Sequence, residues 1–326
     1  MRLDKDKLSF DLYDRLSCLA EAIETLDPGG AARALDVGGY PCLLADALPG
    51  REVWTLDRIP CERERYVQGT GADLPFGDGE FDVVVASDTL EHILPAQRDA
   101  FLDQCARVAK GQLVLSGPFD TPGVAWAERT LNDWHARLHG RPQQWLKEHI
   151  DCGLPPLAPV AERLRGKGAS VRIHPHGDLL EWFLLEFAAI AAPALPGAQP
   201  AVEAFSRAYN HHWAGHEARW AAYRHVVVAD FSGSNAARSL PWKTVDPERP
   251  MDDGVGERLR ALAAGMDAVV ASLEALSATG KEEGRLPVET AAYIATLEAA
   301  LRENASIPDR KEGWLGRLKR GWKNEK

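Results

Sequence analysis

Apolar positions along this chain alternate between two spacings. Leu8, Leu12, Leu16, Leu19 and Ile23 recur at helical intervals and stop at Asp27-Pro28-Gly29-Gly30, which predicts a leading helix over Leu3–Leu26. Short apolar runs then follow: Ala34–Val37, Glu52–Asp57, Tyr66–Gly71, Phe81–Ser87, Gln112–Ser116, Ser170–His174 and Arg224–Asp230. The unbroken ones, FDVVVAS above all, are of the kind that forms strands buried on both faces. Helical patterns lie between them, at Pro95–Val108 and Pro155–Arg165. Strand and helix alternate, which predicts a doubly wound, Rossmann-like α/β domain over residues 1–230.

Beyond Asp230 the pattern changes. Residues 231–256 are rich in Gly, Ser, Pro and Asp and predict a linker. Leu259, Leu262, Met266, Val269, Leu273 and Leu276 step 3-4-3-4-3, the seam of a short coiled coil. With Tyr293, Ile294, Leu297 and Leu301 this predicts a helical region over 257–304 that would pair copies of the chain or pack back on the α/β domain. Residues 305–326 form a basic tail. Trp314, Leu315, Leu318 and Trp322 share one face there, among seven Lys or Arg and two Glu in Arg310–Lys326. A basic amphipathic helix edged with tryptophan is suited to an anionic membrane surface.

Composition narrows the class. Of 326 residues, 45% are hydrophobic and 26% charged, as in a globular protein, and the net charge of −10 excludes a general nucleic-acid binder. Five dispersed cysteines (Cys18, Cys42, Cys61, Cys105, Cys152) contain no CxxC pair and predict reduced thiols in a cytoplasm. The charged start, MRLDKDKLSF, is unlike a signal peptide. The most apolar stretch, Leu179–Leu195, is interrupted by Glu181 and Glu186, so no membrane span is expected. The expected location is cytoplasmic, with peripheral contact at the inner face of the cell membrane.

The first candidate chemistry lies in ALDVGGYPCLLADA, residues 34–47. A strand carrying Asp36 ends in Gly38-Gly39 and feeds directly into a helical pattern. Such a turn lets the backbone approach a ligand with no Cβ in the way. Asp57 closes the second strand 21 residues later, where an acid is placed to accept hydrogen bonds from ribose hydroxyls. Asp88-Thr89-Leu90-Glu91-His92 follows the fourth strand, at the sheet edge where ligands of open parallel sheets bind.

The LDVGG turn, the acid of EVWTLD and the segment ADLPFGDGEFDVVVASDTLEHI together resemble class I S-adenosylmethionine-dependent methyltransferases. The resemblance covers Ala34–Ser116 well and residues 1–230 in outline. It implies a seven-stranded methyltransferase sheet, with the stretch 121–156 as a helical insert and 257–304 as a helical or coiled-coil tail. It also implies S-adenosylmethionine as cofactor. Asp36, Gly38 and Gly39 would shape the pocket for its methionine part, Asp57 would hold the ribose, Asp73 and Leu74 would meet the adenine, and Ser87 would sit near the sulfonium. The chain departs from the family in one place: a third glycine is usual where Tyr40-Pro41-Cys42 stands. A looser resemblance, carried by WLKEHIDCGLPP and YIATLEAAL, is to methyltransferases of bacterial surface-polysaccharide clusters.

Methyl transfer to a hydroxyl needs a proton acceptor, and histidine is the side chain tuned for that near neutral pH. The candidates are His149, beside Glu148 in the shared K-E-H segment, and His92, with His135, His139, His174 and His176 as further possibilities. The insert is expected to form an acceptor lid, with His149 as base. Its tryptophans, Trp126, Trp134 and Trp145, suit stacking on a sugar, or the packing of the lid onto the core. No metal site is expected: His211, His212 and His216 with Glu217 have ligand spacing but suit a solvated helix face better. The expected function is O-methylation of a sugar or sugar-linked phosphate in cell-surface glycan assembly. The alternatives are a small-molecule or quinone methyltransferase, and a catalytically silent scaffold for glycan-assembly partners.

Overall fold

The computed structural model describes residues 3–195, 198–212, 214–215, 221–233, 239–249 and 254–279. The chain divides into two units, residues 1–259 and 260–326. The first unit holds seven strands: β1 (Arg33–Val37), β2 (Glu52–Asp57), β3 (Tyr66–Gln68), β4 (Phe81–Ser87), β5 (Ala109–Pro118), β6 (Ser170–Asp178) and β7 (Ala222–Asp230). They form one sheet in the order β3-β2-β1-β4-β5-β7-β6. β7 runs antiparallel to both of its neighbours, and the other pairs are parallel.

Period-two alternation sorts the central strands onto two faces. Val84 and Ala86 of β4, with Leu35 of β1 and Leu113 and Leu115 of β5, face one layer of helices. That layer is α3 (Pro95–Val108) and α6 (Leu157–Gly166), contributing Phe101, Leu102, Cys105, Val160 and Leu164. Val83, Val85 and Val114 face the other way, onto α1 (Phe10–Leu26) and α2 (Leu43–Ala47). Both faces are covered, which is why the strands read as unbroken apolar runs.

α1 starts at Phe10 rather than Leu3, because the Ser9 hydroxyl accepts from the Leu12 N–H and caps it. β5, β6 and β7 are longer than their apolar runs. Antiparallel pairing carries on past them, through Gly117–His225, Pro118–Arg224 and His176–Arg224, so polar residues sit in register beyond the parallel part of the sheet.

The insert is two helices, α4 (Val124–His139) and α5 (Gln144–Cys152). Trp134 packs on Phe183 and Phe187, and Trp126 on Phe183. Both phenylalanines belong to α7 (Leu179–Ala191), so two of the three tryptophans join the insert to the body. α8 (Gln199–His212) follows, with His211 exposed and bonded to Asp6 at 3.1 Å. His216 and Glu217 lie outside the described residues.

Part of the expected linker is strapped to β6. The Val245 N–H donates to the Ile173 carbonyl at 2.9 Å, and the Lys243 carbonyl meets His174 Nδ1 at 3.0 Å. α9 (Val255–Thr279) spans the whole of the predicted seam, Leu259 to Leu276. The stripe at Tyr293–Leu301 and the basic tail lie outside the described residues. Among the described residues no helix is long and apolar enough to cross a membrane.

Candidate active site

The carboxyl ends of β1, β2 and β4 meet at one edge. Gly38 holds φ +82°, and its N–H donates to the Leu56 carbonyl at 2.7 Å. A Cβ at Gly38 would stand 2.6 Å from Thr89 Oγ1, and one at Gly39 would stand 2.2 Å from Asp36 Oδ2. Neither position has room for a side chain. The Thr89 hydroxyl is 2.9 Å from the Ser87 carbonyl and 3.3 Å from that of Val37, tying the ends of β1 and β4 together. Asp57 accepts from the Tyr40 N–H at 3.2 Å and the Ile59 N–H at 3.0 Å. It therefore braces the glycine turn from the tip of the next strand.

Cys42 explains the missing glycine. It takes φ 70°, ψ 31°, the left-handed conformation, which glycine adopts without the steric cost that a Cβ brings. The backbone shape is kept although the residue type is not.

Asp36 is buried beneath this turn. Burial pushes its carboxyl up to about 7; Arg15 opposes the shift and Asp57 adds to it. Ser87 Oγ is buried and has no hydrogen-bond partner among the described residues. The loop of D-L-P-F is pinned by Arg107, which donates to the carbonyls of Leu74 and Phe76. Leu74 turns its side chain into the core and gives its N–H to Gln104 at 3.2 Å, whereas Asp73 is exposed. Of that pair, Asp73 is the residue left free to meet a ligand.

Next along the edge is an ionic cluster that was not legible in the sequence. Asp88, at φ 43°, takes two donors from Arg224, Nε at 3.0 Å and Nη2 at 2.8 Å, and a third from Arg15 at 3.0 Å. Arg224 also reaches Asp11 at 2.9 Å. Burial alone would raise Asp88, but the Arg224 and Arg15 guanidiniums outweigh it and hold the carboxyl well below its usual range. Arg224 brings β7 to the end of β4, and only the antiparallel overrun of β7 places it there.

The third group joins the insert to the turn at Leu90–His92. His92 and Glu148 are 2.9 Å apart through Nδ1, and His149 and Glu128 are 2.9 Å apart through Nδ1. His149 and Glu148, adjacent in sequence, thus take different partners, and the acid that orients His149 is Glu128 of α4. The two Nε2 atoms face one another at 3.2 Å. Tyr223 Oη donates to Glu128 Oε1 at 3.0 Å. Arg98 clamps α5 to the turn through the carbonyls of Ile93, Cys152 and Gly153.

Electrostatics separates the two rings. Burial pulls His149 down, but Glu128 outweighs it, with Glu91 and Asp88 adding, and the ring ends above its ordinary value. Burial and the neighbouring His149 lower His92, against the pull of Glu148. Glu91, 1% exposed, is pushed up to about 8 by burial and then by Asp88, with His149 opposing. His149 is 3% exposed, whereas the His92 side chain is 27% exposed, so a ligand would reach the pair from the His92 side.

Residues 35–115, from the first strand to the fifth, match the family described as Methyltransferase domain. Over these residues the chain is similar to a methyltransferase domain. An uncharacterised methyltransferase of Synechocystis sp. is 34% identical over 130 residues, 37% of this chain and 52% of that protein. One from Mycobacterium sp. strain KMS is 34% identical over 97 residues, 26% of this chain and 38% of that protein. The chain therefore spans about half or less of the curated relatives it matches. A solved S-adenosylmethionine-dependent methyltransferase from Archaeoglobus fulgidus is 16% identical, covering 68% of this chain and 94% of its own, with a TM-score of 0.41. S-adenosylmethionine is the cofactor of such a methyltransferase domain, and the residues fit it. Gly38 and Gly39 keep the backbone of the turn bare of side chains, and Ser87 Oγ is buried without a partner among the described residues.

Proposed function

We propose that this protein is an S-adenosylmethionine-dependent O-methyltransferase whose acceptor hydroxyl is deprotonated by the His92–His149 pair. The observation that carries the proposal is the opposed arrangement of the two rings, three residues beyond Thr89 and beside the glycine turn. A carboxylate only accepts hydrogen bonds, so Glu148 and Glu128 require each Nδ1 to carry the hydrogen. The Nε2 lone pairs then converge across 3.2 Å. Two lone pairs at that separation attract one positive charge, and the proton released by an acceptor hydroxyl fills the place.

S-adenosylmethionine, when bound, supplies the electrophilic methyl group. Gly38, Gly39 and Asp36 would hold its methionine part, Asp57 its ribose, Asp73 its adenine edge, and Ser87 would face the sulfur. His92 is the ring the acceptor meets first, because it is the more exposed of the two. His149, anchored by buried Glu128, keeps the pair in register. Arg224 and Arg15 fix Asp88 as a charge beside both.

For the acceptor we propose a sugar or sugar-linked phosphate of a cell-surface glycan. The K-E-H segment supports this, as does Trp145, half-buried and edge-on to His149 at 5.5 Å. Trp126 and Trp134 are used in packing and do not contribute to it. We extend the proposal to self-association through 257–304 and to contact of 310–326 with anionic membrane. Calorimetry with S-adenosylmethionine tests the enzyme against a silent scaffold. Methyl transfer to a panel of cell-surface oligosaccharides, with small phenols and quinols alongside, tests the acceptor. No heat of binding rejects the enzyme; turnover confined to the phenols or quinols rejects the glycan.

A further inference from the structure

We infer that His92, His149 and Glu91 form a binding site for one divalent first-row transition ion. Their ligand atoms, His92 Nε2, His149 Nε2 and a Glu91 carboxylate oxygen, all lie within 4.8 Å of one another. Two ligands each about 2.1 Å from an ion stand about 3.0 Å apart at a right angle and about 3.4 Å apart at the tetrahedral angle. The 3.2 Å between the two Nε2 atoms falls between those values. Glu91 Oε1 is 3.9 Å from His149 Nε2, so a small swing of its side chain completes the set.

Two independent features point to a ligand there. Glu91 is 1% exposed, and its Oε1 is buried with no hydrogen-bond partner among the described residues. A buried carboxyl oxygen left so is unfavourable unless a positive group or a donor approaches it. The second feature is the outer shell. Each histidine gives its far nitrogen to a carboxylate, Glu148 for His92 and Glu128 for His149, and Tyr223 in turn holds Glu128. Carboxylate–histidine pairs of this kind orient ligating rings and raise their basicity. Two imidazoles and one carboxylate select zinc, manganese, iron, cobalt or nickel over magnesium or calcium.

The sequence concealed this set because Glu91 and His92 are adjacent, while His149 comes from the insert 57 positions later. Glu91 enters as the acid of L-E-H, a position with no role in the sequence-based expectations. Three protein ligands leave positions open toward the exposed side of His92. An acceptor hydroxyl that ligated the ion there would give its proton to solvent on the exposed side, and with the ion bound His92 and His149 would be ligands in place of the proton acceptors proposed above. Only this last part rests on the proposed function.

The test uses the untagged full chain, stripped with chelator and titrated with Co2+ by visible absorption and with Zn2+ by calorimetry. One equivalent should bind, with d–d bands of a nitrogen- and oxygen-ligated Co2+. Affinity should fall at least tenfold in Glu91→Gln, His92→Asn and His149→Asn, and about tenfold in Glu128→Gln. His211→Ala, outside the cluster, should bind as the parent does. Zn2+ should raise the melting temperature of the parent and leave that of Glu91→Gln unmoved. No saturable binding, or binding that survives intact in both Glu91→Gln and His92→Asn, overturns the inference. His92 is partly exposed, so its variant keeps the test open if a buried variant fails to fold. Metal bound without methyl transfer would refute the proposed function and leave the ion site standing. Methyl transfer by a chain that binds neither ion would do the reverse.

Discussion

Gly39 leaves no room for a methyl group. A Cβ there would overlap Asp36 Oδ2 at 2.2 Å, and Asp36 is buried and has nowhere to retreat. Gly39→Ala should weaken S-adenosylmethionine binding at least about tenfold and cost about 1–3 kcal/mol of stability; calorimetry and urea unfolding read the two separately. Cys42 behaves differently. Its left-handed backbone predicts that Cys42→Gly keeps cofactor affinity within about twofold, while Cys42→Val, β-branched at positive φ, loses most of it. His225 is buried and is pulled down to about 4 by that burial. As pH falls below about 6.5 the unfolded chain takes the proton first. Its contribution is therefore complete above pH 6.5 and is lost as pH falls toward 4, a difference of about 3 kcal/mol. His225→Phe should flatten the acid limb of stability between those values, measured by urea midpoints at stepped pH.

The elements reach the site by two routes. The parallel strands end together, so Gly38, Asp57 and Ser87 share an edge, a consequence that a strand-by-strand reading of the sequence already contains. β7 arrives antiparallel and overruns that edge, delivering Arg224 to Asp88 and Asp11. Arg224→Met should cost about 3 kcal/mol by taking the partner from Asp11 and leaving Asp88 with Arg15 alone. Adding Asp88→Asn to it should recover part of the loss, as read by denaturant unfolding. The α5 and L-E-H elements meet through their histidines. His149 stands above its ordinary value because Glu128, Glu91 and Asp88 outweigh burial. As the proposed proton acceptor, the pair works only when free of the proton it takes, so kcat/KM should rise with pH through a value above about 6.5. Glu128→Gln should move that limb to lower pH, whereas a merely structural role for Glu128 would lower the rate without moving it.

At the scale of the whole molecule, every residue proposed for cofactor, acceptor or ion lies between Asp11 and Arg224. A chain ending at Thr279 should therefore keep S-adenosylmethionine affinity within about twofold, by calorimetry against the full chain. Anionic-liposome flotation of the full chain against one ending at Asp309 tests the tail separately; equal flotation would exclude a membrane role for it.

The alternation of apolar runs with helical spacing was sufficient for the architecture, because burial on both faces of a parallel strand leaves an unbroken apolar signature. The glycine turn and the acid of EVWTLD were legible for a similar reason, since a close backbone approach and a strand-tip acid are local requirements written in adjacent residues. Tertiary structure alone decided the proposed acceptor side. Glu128 and His149, Glu148 and His92, and Arg224 and Asp88 are pairs separated by 21, 56 and 136 positions. Their energetics depend on which carboxylates burial forces together, a property that spacing along the chain does not carry. The same folding placed Glu91 beside two histidines and used two of the three insert tryptophans for packing.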